Sequence, residues 1–60
     1  MKYLLVYYAE GKDYSGLYQT HMSLNYKITK TNIKRVELRL KKGLSDANLV
    51  RIISFKEVSN

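Results

Sequence analysis

The stretch TKTNIKRVELRLKKG, residues 29–43, decides the fold, because two periodicities run through it. Val36, Leu38 and Leu40 alternate with Arg35, Glu37, Arg39 and Lys41, which suits a strand. Ile33, Val36, Leu40 and Leu44 recur at i, i+3, i+7 and i+11, which suits one face of a helix. Composition favours the helix, since Lys, Arg, Glu and Leu dominate and all lose little rotamer freedom there. The ends agree with it. Thr31 can serve as N-cap. Gly43 fits the left-handed position after the last turn, with Leu44 as the apolar residue beyond it, folding back towards Leu38. The sequence therefore predicts a helix over residues 33–42, with a strand as the alternative.

On the N-terminal side, Lys2 to Ala9 is rich in Tyr, Leu and Val on both parities. Tyr3, Leu5 and Tyr7 share one strand face, and Leu4, Val6 and Tyr8 the other. A strand apolar on both faces belongs in the middle of a sheet. Residues 10–16, EGKDYSG, supply two glycines and an aspartate for a hairpin turn. A second strand follows from about Leu17 to Ile28. Tyr18, Thr20, Met22, Leu24, Tyr26 and Ile28 alternate with Gln19, His21, Ser23, Asn25 and Lys27, so one face is core and one is wet. Beyond the helix, Ser45 to Asn48 is a polar connection and Leu49 to Val58 a third strand. Its period of two puts Leu49, Ile53 and Phe55 on one face and Val50, Ile52 and Val58 on the other.

The predicted fold class is α+β with element order ββαβ. The hairpin joins the first two strands, and a right-handed crossover through the helix lays the third strand beside the first. The sheet is three-stranded and antiparallel, in the order 2-1-3, with the helix on one face. The other face stays open. Tyr3, Leu5 and Tyr7 are expected on it as a self-association surface, which predicts a homodimer.

Sixty residues make one domain, 1–60, of marginal size. There is no cysteine, which excludes disulfides and thiolate metal sites and suits a reducing compartment. A single histidine excludes a His-rich metal site. The opening residues 1–9 are too short an apolar run, and too rich in tyrosine, for a signal segment. No stretch approaches the length of a membrane span. No metal and no cofactor is expected.

Catalytic constellations are also wanting. His21 has no serine or carboxylate placed by spacing to act with it. Glu10, Asp13, Glu37, Asp46 and Glu57 form no close acidic pair. Glu37 is expected to pair with Lys34 or Lys41 along the helix. Gly11 and Gly16 lack the spacing of a phosphate-cradling loop. The chain is expected to bind rather than to catalyse.

Two features point to binding. The net charge is +6, and Lys27, Lys30, Lys34, Arg35, Arg39, Lys41 and Lys42 fall together against one acid, Glu37. A solvated helix back is the ordinary explanation; a footprint for phosphates or for an acidic protein face is the functional one. No aromatic or amide group stands beside the charges on the helix itself, which counts against a nucleic-acid reader. The second feature is six tyrosines in sixty residues. Tyr18 and Tyr26 are expected to fill the core. Tyr3, Tyr7 and the hairpin's Tyr14 are weighted towards interfaces. The partner-binding residues are thus predicted to be Lys34, Arg35, Arg39, Lys41, Lys42 and Tyr14.

The KYLLVYY opening (residues 2–8), the glycine-containing hairpin, the IKRVE helix (33–37) and the LVRIISF closing strand (49–55) together resemble small phage accessory proteins. The resemblance spans nearly the whole chain and lies in its apolar positions. Some proteins of that kind are counter-defence inhibitors. It therefore implies a stoichiometric inhibitor of a host bacterial defence protein, acting in the host cytoplasm. The basic helix departs from the more acidic helix of such proteins and puts the partner in doubt. A small nucleic-acid-binding regulator is the alternative, and a sponge for an anionic nucleotide signal a third.

Overall fold

Alternation along the first strand sets the architecture. The computed structural model describes residues 1–44 and 46–58. Strand β1 (Lys2–Gly11) buries Tyr3, Leu5, Tyr7 and Ala9 and leaves Leu4, Val6 and Tyr8 half-buried on the opposite face. It pairs antiparallel with β2 (Ser15–Ser23) on one side and with β3 (Ala47–Val58) on the other. The sheet order is β2-β1-β3, and the single helix α1 (Ile33–Gly43) packs against β3. This is the α+β, ββαβ arrangement read from the sequence, with the twice-apolar strand in the centre. Ser45, assigned by the sequence to the polar connection, lies outside the described residues.

The covered face is the Tyr3 parity. Val36 and Leu40 of α1 join Leu5 and its neighbours in one core, with Val50 of β3 and with Leu24 and Ile28 from the β2–α1 loop. Leu5 and Val36 are fully enclosed. This reverses the sequence assignment of Tyr3, Leu5 and Tyr7 to a self-association surface. They occupy the middle of the central strand, where residues of α1, of the β2–α1 loop and of the neighbouring strands cover them. The open face carries Leu4, Val6 and Tyr8. The tyrosine assignments invert in part: Tyr18, on an edge strand, is 41% exposed and Tyr3 is 3% exposed, while Tyr26 packs half-buried against the core as expected.

Four local features depart from the expected pattern. Strand β2 ends at Ser23, and just beyond it Leu24 and Met1 exchange two hydrogen bonds, at 2.7 and 2.6 Å. Leu24 and Ile28 still reach the core from the loop, and the Ile28 N–H donates to the buried Tyr3 hydroxyl at 3.2 Å. The helix N-cap is Asn32 rather than Thr31. Gly43 is helical and not left-handed; the turn closes with the Leu44 N–H donating to the Lys41 carbonyl at 3.1 Å. Leu38 gains no cover from Leu44 and stays 61% exposed.

The fourth departure is a bulge in β3. Val6 pairs with Ser54 and Tyr7 with Ile52, so Ile53 is extra. A bulge shifts the side-chain parity by one. Before it, Val50 and Ile52 share the covered face; after it, Phe55 does, opposite Leu5 and edge-on to Tyr3 at 6.2 Å. Val58 falls on the open face, opposite Lys2. The uninterrupted period of two predicted from sequence therefore fails halfway along the strand. Gly11 marks a close approach at the other end of the sheet: a Cβ there would meet the Tyr14 ring and stand 2.7 Å from the Asp46 carbonyl oxygen.

Candidate binding surface on the helix

The outer face of α1 is built around an exposed leucine with cations on both flanks. Val36 and Leu40 point into the core, so Leu38 points out, and the basic residues fall to its two sides. Lys34 and Lys41 line a groove between α1 and β3, together with Glu37, Leu38, Asn48 and Arg51. Arg35, Arg39 and Lys42 line a second groove on the loop side, with Asn25, Tyr26 and Leu38. The structure thus divides the predicted basic patch. Lys34, Arg35, Arg39, Lys41 and Lys42 are all exposed, but they belong to two grooves.

Glu37 explains why the flanks differ. Its carboxylate accepts the backbone N–H of Ile52 at 2.8 Å, not the expected lysine as its hydrogen-bond partner. The bond ties the helix to the edge strand beside the bulge. It also turns the only acid of residues 27–42 towards β3, leaving the loop-side cations unopposed. A charge-assisted bond of this type contributes roughly 1.5–3 kcal/mol. Glu37→Ala is therefore expected to lower unfolding free energy by about 1–2 kcal/mol, and Glu37→Gln, which keeps an acceptor, by less. Urea titration of both variants checks this.

The loop-side groove has a feature that the helix sequence lacks. Tyr26 lies under Arg35, whose guanidinium carbon is 4.9 Å from the ring centroid, a cation–π contact. Asn32 holds the loop in place: its amide donates to the Lys27 carbonyl and its oxygen accepts the Thr29 N–H, both at 2.7 Å. An aromatic ring and the Asn25 amide are thereby set beside three cations. Spacing along the helix could not reveal them, because they come from the preceding loop. The signal available in the sequence was Asn32, a residue able to fold a loop back on its own backbone.

Tyr14 is not part of this surface. It is half-buried, packs edge-on against Tyr18 at 6.3 Å, and lines an apolar recess with Tyr7, Ala9 and Leu44. That recess, about 170 Å³, is well below the roughly 300 Å³ of a typical small-molecule site, so a nucleotide does not fit it. His21 is exposed on the open sheet face, across from Leu4. On the same face the Tyr8 hydroxyl donates to the Glu10 carboxylate at 3.1 Å, and this bond holds the phenol proton above its ordinary range. Among the described residues, no group of three or more His, Cys, Asp or Glu is placed to hold a metal ion. None of their helices is long and apolar enough to cross a membrane.

Compared with known proteins, the chain matches no family model, no curated protein and no solved structure.

Proposed function

We propose that this chain is a non-catalytic binding protein whose loop-side helix groove engages nucleic acid. The observation that carries the reading is the setting of Tyr26 and Asn25 beside Arg35, Arg39 and Lys42, with Glu37 turned to the other flank. Cations supply sequence-independent attraction to phosphates, and the ring and amide give a base or sugar something to meet. Arg35, Arg39 and Lys42 form one row at i, i+4 and i+7. The row is about 10 Å long, enough to follow about three phosphates of one strand. Neutralising three phosphates of a duplex gives a log–log salt slope near −2.7, a loss of about forty-fold in affinity between about 50 and about 200 mM salt. Anisotropy titration of labelled oligonucleotides of about 20 nucleotides, duplex and single-stranded, measures that slope. No binding to either at about 50 mM salt would exclude the reading.

Leu38 favours a second reading. A phosphate-binding helix has no use for a leucine 61% exposed at the centre of its charges. A protein interface does, since its centre is apolar and its rim charged. In that reading the helix docks on an acidic face of a host bacterial defence protein and inhibits it stoichiometrically. Affinity capture from a nuclease-treated bacterial lysate separates the two readings. A protein retained by the wild-type chain and lost on Leu38→Glu supports the inhibitor; a partner lost on nuclease treatment supports nucleic acid.

A further inference from the structure

We propose that the open sheet face is the docking site for an acidic amphipathic helix of a partner protein. Leu4, Val6 and Tyr8 form an apolar row along the central strand on the side that α1 does not cover. A sheet with one helical layer and an apolar second face is completed by a second layer. The face fits a helix: the apolar row from Leu4 to Tyr8 is about 14 Å long, within about 27 Å of β1 from Lys2 to Glu10, the length of about 18 helical residues.

Charge selects the occupant. Register places Lys2, Lys56 and Arg51 on this face, all exposed, around the apolar row. Glu10 is the acid on β1 there, and its carboxylate already accepts the Tyr8 hydroxyl. The three cations lie at the Lys2 end and along β3, whereas the β2 border is made of Ser23, His21, Gln19 and Leu17. An apolar stripe with acids along one border therefore complements the face.

A second copy does not complement it. The amphipathic helix among the described residues is α1, whose flanks are basic. Sheet-to-sheet packing centred on Val6 sets Lys2 over Lys2 when the strands run parallel. When they run antiparallel it sets Lys56 over Arg51, and of the three cations only Lys2, over Glu10, meets an acid. Either pairing brings like charges together on chains of net charge +6.

The test uses two labelled peptides of about 18 residues. Each has leucines at i, i+3 and i+4 spacing, bordered by glutamates in one and by lysines in the other. Anisotropy is read against the wild-type chain, Lys2→Glu/Lys56→Glu, and Arg39→Glu/Lys42→Glu. The last variant changes the net charge equally but on the helix. The acidic peptide is expected to bind wild type. The sheet-face variant should weaken it by at least about tenfold and acquire affinity for the lysine peptide, while the helix variant weakens it by less than about threefold. Three results would overturn the proposal. One is loss that follows the helix variant rather than the sheet-face variant. Another is absence of acidic-peptide binding up to roughly 1 mM. The third is a sedimenting wild-type dimer that Val6→Thr dissociates, which would give the face to a second copy.

Discussion

Leu5→Ala is expected to leave the chain largely unfolded in dilute buffer. Leu5 is 0% exposed, in the central strand, between Thr20 on β2 and Phe55 on β3. Truncating a leucine so enclosed removes its transfer free energy and leaves a cavity, about 2–5 kcal/mol in all. A domain of this size has only about 3–9 kcal/mol of total stability. No disulfide is available to hold the remainder together. The neighbouring Leu4 is the control, because it has the same chemistry on the opposite face and is only half-buried. Leu4→Ala should cost about 1 kcal/mol and leave a cooperative transition. Circular dichroism with urea titration of the two variants measures both. Equal losses would mean that the two faces of β1 are equally covered, and both the fold description and the docking proposal would have to be withdrawn.

The contrast between these adjacent leucines also shows what the sequence could and could not tell. That β1 is central follows from apolar residues on both of its parities, and the structure has it there. Which parity the helix covers does not follow. Tyr3–Leu5–Tyr7 and Leu4–Val6–Tyr8 are nearly equivalent in hydrophobicity, and the choice is made by where α1, Leu24 and Ile28 converge. The helix itself was legible in its composition and in the spacing of Ile33, Val36 and Leu40, but its ends were not: Asn32 and not Thr31 precedes it, and Gly43 is not left-handed. The bulge at Ile53 was not legible. Beside it Glu37 from the helix accepts the Ile52 N–H, a tertiary contact that no local pattern of β3 announces. The same limit hid half of the candidate site. The cations announce themselves as a cluster, but Tyr26 reads as one more apolar position of an alternating strand. It stays half-buried against the core and reaches the groove as well, because β2 stops at Ser23 and Asn32 folds the loop back beside Arg35.

That dependence on the loop shapes the second large effect. Replacing Arg35, Arg39 and Lys42 together by alanine is expected to abolish measurable nucleic-acid binding at about 150 mM salt. All three side chains are exposed, and alanine favours helix, so the fold should survive and the comparison should be clean. If each cation meets one phosphate, the log–log salt slope should fall by nearly one for each, close to three in total. Two further variants divide the contribution of charge from that of geometry. Arg35→Lys keeps the charge but gives up the planar stack on Tyr26. Tyr26→Leu keeps the apolar fill but gives up the ring. Both should leave the slope unchanged while weakening single-stranded binding by about two- to fivefold, the size of the cation–π contact that orients Arg35. A triple variant that binds as wild type would move the nucleic acid off this groove. A triple variant that binds weakly with an unaltered slope would mean that the cations shape the groove without touching phosphates, and the acidic protein face centred on Leu38 would become the better reading.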